Sequence, residues 1–96
     1  MKIHKNCCEF TFSRKGRQQF QKLDPVIKKR TKKAIDGFKN GDLDPLQDAK
    51  LLSGQLYPLR SYRIGTYRLI FEVRREELVL MAVAIAHRKE VYKKIS

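Results

Sequence analysis

Tyr62-Arg63-Ile64-Gly65-Thr66-Tyr67-Arg68-Leu69-Ile70-Phe71-Glu72-Val73-Arg74 is the stretch that decides the fold. Two runs of strand-forming residues flank Gly65-Thr66, a pair suited to a tight hairpin turn. The pattern predicts strands over 59–64 and 67–74. On the second strand Tyr67, Leu69, Phe71 and Val73 share one face, and Arg68, Ile70, Glu72 and Arg74 share the other. Arg75-Glu76-Glu77 reads as a charged turn. Residues 78–86 then form a nearly continuous apolar run, the mark of a strand buried on both faces and therefore interior to its sheet. A short basic helix over 88–95 closes the chain.

Working back toward the N-terminus, Cys8, Phe10 and Phe12 alternate with Cys7, Glu9 and Thr11, the period of a half-buried strand. Ser13 can cap a following helix whose buried stripe includes Phe20 and Leu23, although Gly16 weakens it. Asp24-Pro25 restarts the chain, with Asp as N-cap and Pro at the first helical position. Ile27, Thr31, Ala34, Ile35 and Phe38 recur at spacings of three and four, which gives an amphipathic second helix. Its other face carries Lys28, Lys29, Lys32, Lys33 and Lys39, and Asn40-Gly41 ends it. Residues 41–58 form a long connector that Ala49, Leu51 and Leu52 could pin to the core. The expected fold is a single α+β domain over 1–96. It has a four-stranded antiparallel sheet, an N-terminal helical hairpin packed on one face and a short C-terminal helix.

Composition narrows the function. The chain has 96 residues, 42% of them hydrophobic, enough for one modest core. Adjacent Cys7 and Cys8 cannot close a useful loop, and His4 beside them lacks a second ligand pair, so reduced thiols in a cytoplasmic protein are expected and no metal or cofactor. No run reaches the ~20 apolar residues of a membrane span. The 22 basic residues against 10 acidic leave a net charge of +12, a strong attraction to polyanions.

Among those cations Arg63, Arg68 and Arg88 stand out, with His87 and Tyr92 beside them in sequence. A lone arginine on an open sheet face is ordinarily solvated, but the hairpin could set Arg63 and Arg68 over the same face. Two guanidiniums there would clamp a phosphate through forked hydrogen bonds. His87, at the end of the buried strand, offers a group able to carry a proton in either direction. Tyr92, four residues past Arg88, would share its helix face and offer a ring for stacking. With no glycine-rich phosphate loop or spaced metal cluster, a phosphodiester attacked by its own ribose 2′-hydroxyl suits this set of groups.

The segments Tyr62-Arg63-Ile64-Gly65-Thr66-Tyr67-Arg68-Leu69-Ile70-Phe71 and His87-Arg88-Lys89-Glu90-Val91-Tyr92 resemble the hairpin and closing motifs of the RelE/ParE toxin superfamily. The order of elements agrees over the whole chain. The resemblance implies an RNase-like fold, cleavage of messenger RNA in the ribosomal A site, and inhibition by a cognate antitoxin. Carried over, Arg63 and Arg68 match the hairpin's basic positions, Arg88 and Tyr92 the closing motif, and His87 a branch with histidine as acid or base. Ser61 departs from a position that is often basic in the RelE pattern. Lys28, Lys29, Lys32, Lys33, Arg60 and Lys89 are then expected to hold RNA of the ribosome or messenger. The ParE branch offers an alternative function on the same fold, the poisoning of DNA gyrase by binding alone.

Overall fold

The computed structural model describes residues 9–74 and 79–95. The expected strand residues Cys7 and Cys8, the His4 cluster and the charged turn at 75–77 lie outside them. The elements in chain order are β1 (Glu9–Phe12), α1 (Arg14–Gln21), α2 (Pro25–Asn40), β2 (Lys50–Leu51), β3 (Arg60–Ile64), β4 (Tyr67–Arg74), β5 (Val79–His87) and α3 (Val91–Ile95).

The helix boundaries follow local chemistry. Ser13 Oγ accepts the Gly16 N–H at 3.0 Å, capping α1. Asp24 Oδ1 accepts from Val26 and Ile27, both at 3.0 Å, with Pro25 opening α2. Gly41 ends α2 at φ 90°, a left-handed conformation that only glycine adopts without cost. Thr31 is buried within α2, and its hydroxyl donates to the Ile27 carbonyl at 2.8 Å.

The α+β class is as expected, but the sheet has five strands in the order β1-β5-β4-β3-β2, not four. Nor is it wholly antiparallel: β1 runs parallel to β5, with Phe10 beside Leu80 and Phe12 beside Ala82. A parallel neighbour requires a long connection, and the helices and hairpin between β1 and β5 supply it. The extra strand, β2, adds two residues against Ser61 and Arg60. Both helices of the N-terminal pair cover one face, where Phe38, Leu69, Phe71, Leu80 and Ile85 form the main core. Phe38 and Phe71 meet at 5.3 Å between ring centroids.

The opposite face is not open along its length. Leu52, Ile70, Ala84, Ala86 and Val91 form a second buried cluster, roofed by the connector and α3. Ile70, on the Arg68 face of β4, is fully buried there. Of the connector residues expected to pin it, Ala49 and Leu52 are buried, but Leu51 is exposed. The closing helix is also shorter than expected. Residues 88–90 form a turn, held by Glu90 N–H to His87 carbonyl at 2.8 Å, before α3 begins at Val91.

One irregularity sets the functional geometry. Ile70 pairs with Ala84 but Phe71 pairs with Ala82, so Val83 is an extra residue in β5. Such a bulge reverses the alternation beyond it. Leu80 and Ala82 before it, and Ile85 after it, therefore all face the main core, while Ala84 and Ala86 face the second cluster. The outer edge of β5 continues past β1 with side-chain help, since Ile85 N–H donates to Gln19 Oε1 at 2.8 Å.

Candidate functional site

Arg63 and Arg68 are register partners across β3 and β4, and Arg68 in turn lies beside Ala86 on β5. Directly opposed residues of an antiparallel pair project on the same side, with Cα atoms roughly 4.5–5.5 Å apart. The two guanidiniums therefore rise from one face, that of Ile70 and the second cluster. Like charges set opposite each other repel, and among the described residues neither has an ion-pair partner. Glu72, on the same face of β4, is paired with Arg74. Arg63 is exposed and Arg68 half-buried, so an anion can reach both.

The closing segment joins this face from above. Arg88 N–H donates to the Thr66 carbonyl at 2.8 Å, tying the turn at 88–90 to the hairpin tip. Val91, fully buried against the second cluster, anchors α3 on the Arg68 side of the sheet, and Tyr92 beside it is 41% exposed. Arg88 stands in the turn, so it does not share a helix face with Tyr92 as the four-residue spacing suggested. Both nonetheless belong to the segment that closes over the arginine face.

His87 is on the other side. It registers with Tyr67, whose neighbour in the hairpin is Ile64, a main-core residue. The imidazole meets the Tyr67 ring edge-on, with centroids 5.8 Å apart, and its Nδ1 accepts the Lys89 N–H at 3.3 Å. The Val83 bulge is the cause: if Val83 were an ordinary strand residue, the alternation from Leu80 and Ala82 would bring residue 87 to the arginine face. The expectation that all five residues share one side thus holds for Arg63 and Arg68, with Arg88 and Tyr92 joined to them by the closing segment, and fails for His87.

The expected RNA-binding residues are dispersed. Lys29, Lys32 and Lys33 are exposed on α2, in the layer on the far side of the sheet from Arg68. Lys28 is half-buried, its Nζ donating to the Gln21 carbonyl at 3.1 Å and lying 5.8 Å from the Phe20 ring centroid. Arg60 is a structural tie, donating through Nη1 to the carbonyls of Leu46 at 3.1 Å and Ala49 at 3.3 Å. Lys89 is exposed in the closing turn. Ser61 is 4% exposed, and among the described residues its Oγ has no hydrogen-bond partner. Arg30, not singled out from the sequence, lies against the hairpin: a Cβ on Gly65 would sit 3.3 Å from its Nη1. Its spacing of three from Lys33 was the available signal.

The family model for the ParE toxin of the type II toxin–antitoxin system parDE matches residues 10–92. The chain belongs to the RelE/ParE superfamily of type II toxins. It is 32% identical over 85 residues to toxin RelG of Mycobacterium tuberculosis, covering 86% of this chain and 93% of that protein. A chain of the RelBE2 toxin–antitoxin complex from the same organism superposes with a TM-score of 0.71 at 30% identity, over 91% of this chain and 95% of that one. A free-state mutant of Escherichia coli RelE, 15% identical, shares the fold with a TM-score of 0.71 over 93% of this chain and 94% of its own.

Proposed function

We propose that this toxin is a metal-independent endoribonuclease that cleaves messenger RNA in the ribosomal A site, with the arginine face as its active surface. The observation that carries the reading is the direct opposition of Arg63 and Arg68 without a compensating carboxylate among the described residues. Two fixed guanidiniums on one face match the geometry of a phosphodiester and stabilise the charge that builds as the 2′-hydroxyl attacks. Arg88 adds charge from the closing turn. Tyr92 supplies a ring for base stacking and a hydroxyl within the same segment. Charge stabilisation is the principal contribution of this surface, and His87 acts from the far side as the post of the closing turn. The 2′-oxygen–phosphorus bond forms as the bond from phosphorus to the 5′-oxygen breaks. The 2′-hydroxyl proton passes to water and a proton is returned to the departing oxygen, which leaves a 2′,3′-cyclic phosphate and a 5′-hydroxyl.

The exposed lysines of α2, with Lys89, hold ribosomal RNA through phosphate contacts, so binding weakens steeply with salt. The partner that silences the chain is a cognate antitoxin, in line with the toxin–antitoxin complexes among its structural relatives, and its carboxylates would complement these cations. A second reading is favoured by the ParE description of the matching family model: the chain poisons DNA gyrase by binding, without cleavage. Separate alanine substitutions of Arg68 and His87, assayed for growth inhibition and messenger cleavage, test the first reading. Arg68→Ala abolishes both, His87→Ala weakens them modestly, and survival of cleavage in Arg68→Ala removes the arginine face from the chemistry.

A further inference from the structure

A cleft of about 650 Å³ lies between the C-terminal half of α2 and the β3 end of the hairpin. Arg30, Lys33 and Arg63 line it, with Asp36, Asn40 and Asp42 also on its walls. Between the two sets lie apolar surfaces of Leu43, Tyr62 and Ile64. Three features make this more than a surface dent.

The first is its location. β2 covers β3 only at Arg60 and Ser61, so among the described residues no further strand lies on the sheet edge beside Tyr62–Ile64. Arg63 also borders this cleft at the edge, although its pairing with Arg68 assigns its side chain to the arginine face. The second is its order of charge. Arg30, Lys33 and Asp36 recur every three residues along α2, so the stripe changes sign over about 9 Å of helix. That distance is of the order of the span from phosphate to base edge in one nucleotide. Among the described residues no ion pair consumes these charges, although Lys33 and Asp36 are three apart. The third is rigidity. Leu43 N–H bonds to the Gly37 carbonyl at 3.0 Å and Asp42 N–H to Asn40 Oδ1 at 2.9 Å, which fixes the acidic turn. Leu43 packs so closely on Gly37 that an added Cβ would come within 3.0 Å of it.

We propose that this cleft is a nucleotide subsite for an RNA strand that passes round the β3 edge on its way to the arginine face, and that it prefers guanine. The proposal rests on the reading of the chain as an RNA-cleaving toxin. The phosphate sits against Arg30 and Lys33, the base lies over Tyr62 and Leu43, and the Watson–Crick edge meets the carboxylates. A phosphate cannot occupy the acidic end, so the cleft orients the nucleotide. Carboxylates accept hydrogen bonds only. Guanine alone among the four bases presents adjacent imino and amino donors to one carboxylate, whereas uracil presents a single imino donor between two carbonyls.

The test is a titration of the full chain, isotopically labelled, with 5′-GMP, 5′-UMP and inorganic phosphate, followed through backbone amide resonances. GMP is expected to shift Tyr62, Leu43 and Gly65 and to bind more tightly than UMP. The double variant Arg30→Ala/Lys33→Ala should weaken GMP roughly tenfold or more, since each lost contact is charge-assisted. Asp42→Asn should narrow the gap between GMP and UMP while leaving phosphate binding unchanged or strengthened. Unchanged GMP affinity in the double variant, shifts confined to the Arg68 and Tyr92 face, or occupancy by an acidic peptide with no response to nucleotides each overturn the proposal. Spectra that keep their dispersion confirm that the variants remain folded. GMP binding should persist in Arg68→Gln, so loss of the nuclease reading and loss of the subsite are separately visible.

Discussion

Replacing Arg68 by glutamine should make the free toxin more stable and less active. Arg63 and Arg68 are direct register partners with no compensating carboxylate among the described residues. A like-charge pair at that position costs roughly 0.2–1 kcal/mol. Coulomb's law agrees, giving about 0.7 kcal/mol for unit charges 6 Å apart in water. Glutamine keeps much of the half-buried aliphatic stem, so the packing beside Ala86 is little changed. On the catalytic side, removing one fixed donor from a developing oxyanion costs on the order of 10²–10³ in rate. Urea denaturation at low salt measures the first effect, and cleavage of ribosome-bound messenger the second. The stability gain should shrink as salt screens the repulsion. A variant that loses more than about 1 kcal/mol while cleaving normally would refute the reasoning, because Arg68 would then be a structural residue.

Gly16→Ala, which normally helps a helix by about 1 kcal/mol, should here destabilise the protein. The new Cβ meets the Ala82 carbonyl oxygen and lies 3.2 Å from the capping Ser13 Oγ; overpacking of this kind costs about 1–3 kcal/mol, and an equal or higher melting temperature would contradict the close α1–β5 contact. Deleting Val83 should remove the bulge while leaving Ala84 and Ile85 on their present faces, so thermal unfolding should show a loss smaller than the ~3 kcal/mol that turning Ile85 out of the main core would cost; a larger loss would contradict the register. Arg60→Ala should lower stability by about 1–3 kcal/mol, since it leaves the carbonyls of Leu46 and Ala49 without their donor, while ribosome affinity stays unchanged in a filter-binding assay.

Much of this geometry is legible in the chain because it is local. Ser13, Asp24-Pro25 and Gly41 announce the helix ends through their own hydrogen-bonding and dihedral preferences, and alternation along 67–74 places Arg68 opposite Leu69. The parallel pairing of β1 with β5 is not legible, because it joins segments about 70 residues apart and depends on how the intervening layers stack. The bulge at Val83 hides for a different reason. The run from Val79 to Ala86 is apolar on both faces, so sliding the alternation by one residue leaves no polar residue misplaced to mark it. Unbroken alternation therefore puts His87 on the arginine side. Arg60 reads as a phosphate ligand in sequence because its acceptors are main-chain carbonyls of a connector, which carry no side-chain signature. The roof over Ile70 was missed because its parts, Leu52, Leu56 and Val91, come from segments without sheet periodicity.

The most direct measurement maps the ends of messenger RNA on ribosomes programmed with a defined A-site codon and exposed to the purified toxin. Cleavage within that codon, leaving a 2′,3′-cyclic phosphate and a 5′-hydroxyl and lost in Arg68→Gln, is the predicted result. Intact messenger with the wild-type protein, accompanied by DNA breaks when gyrase is present, would contradict it.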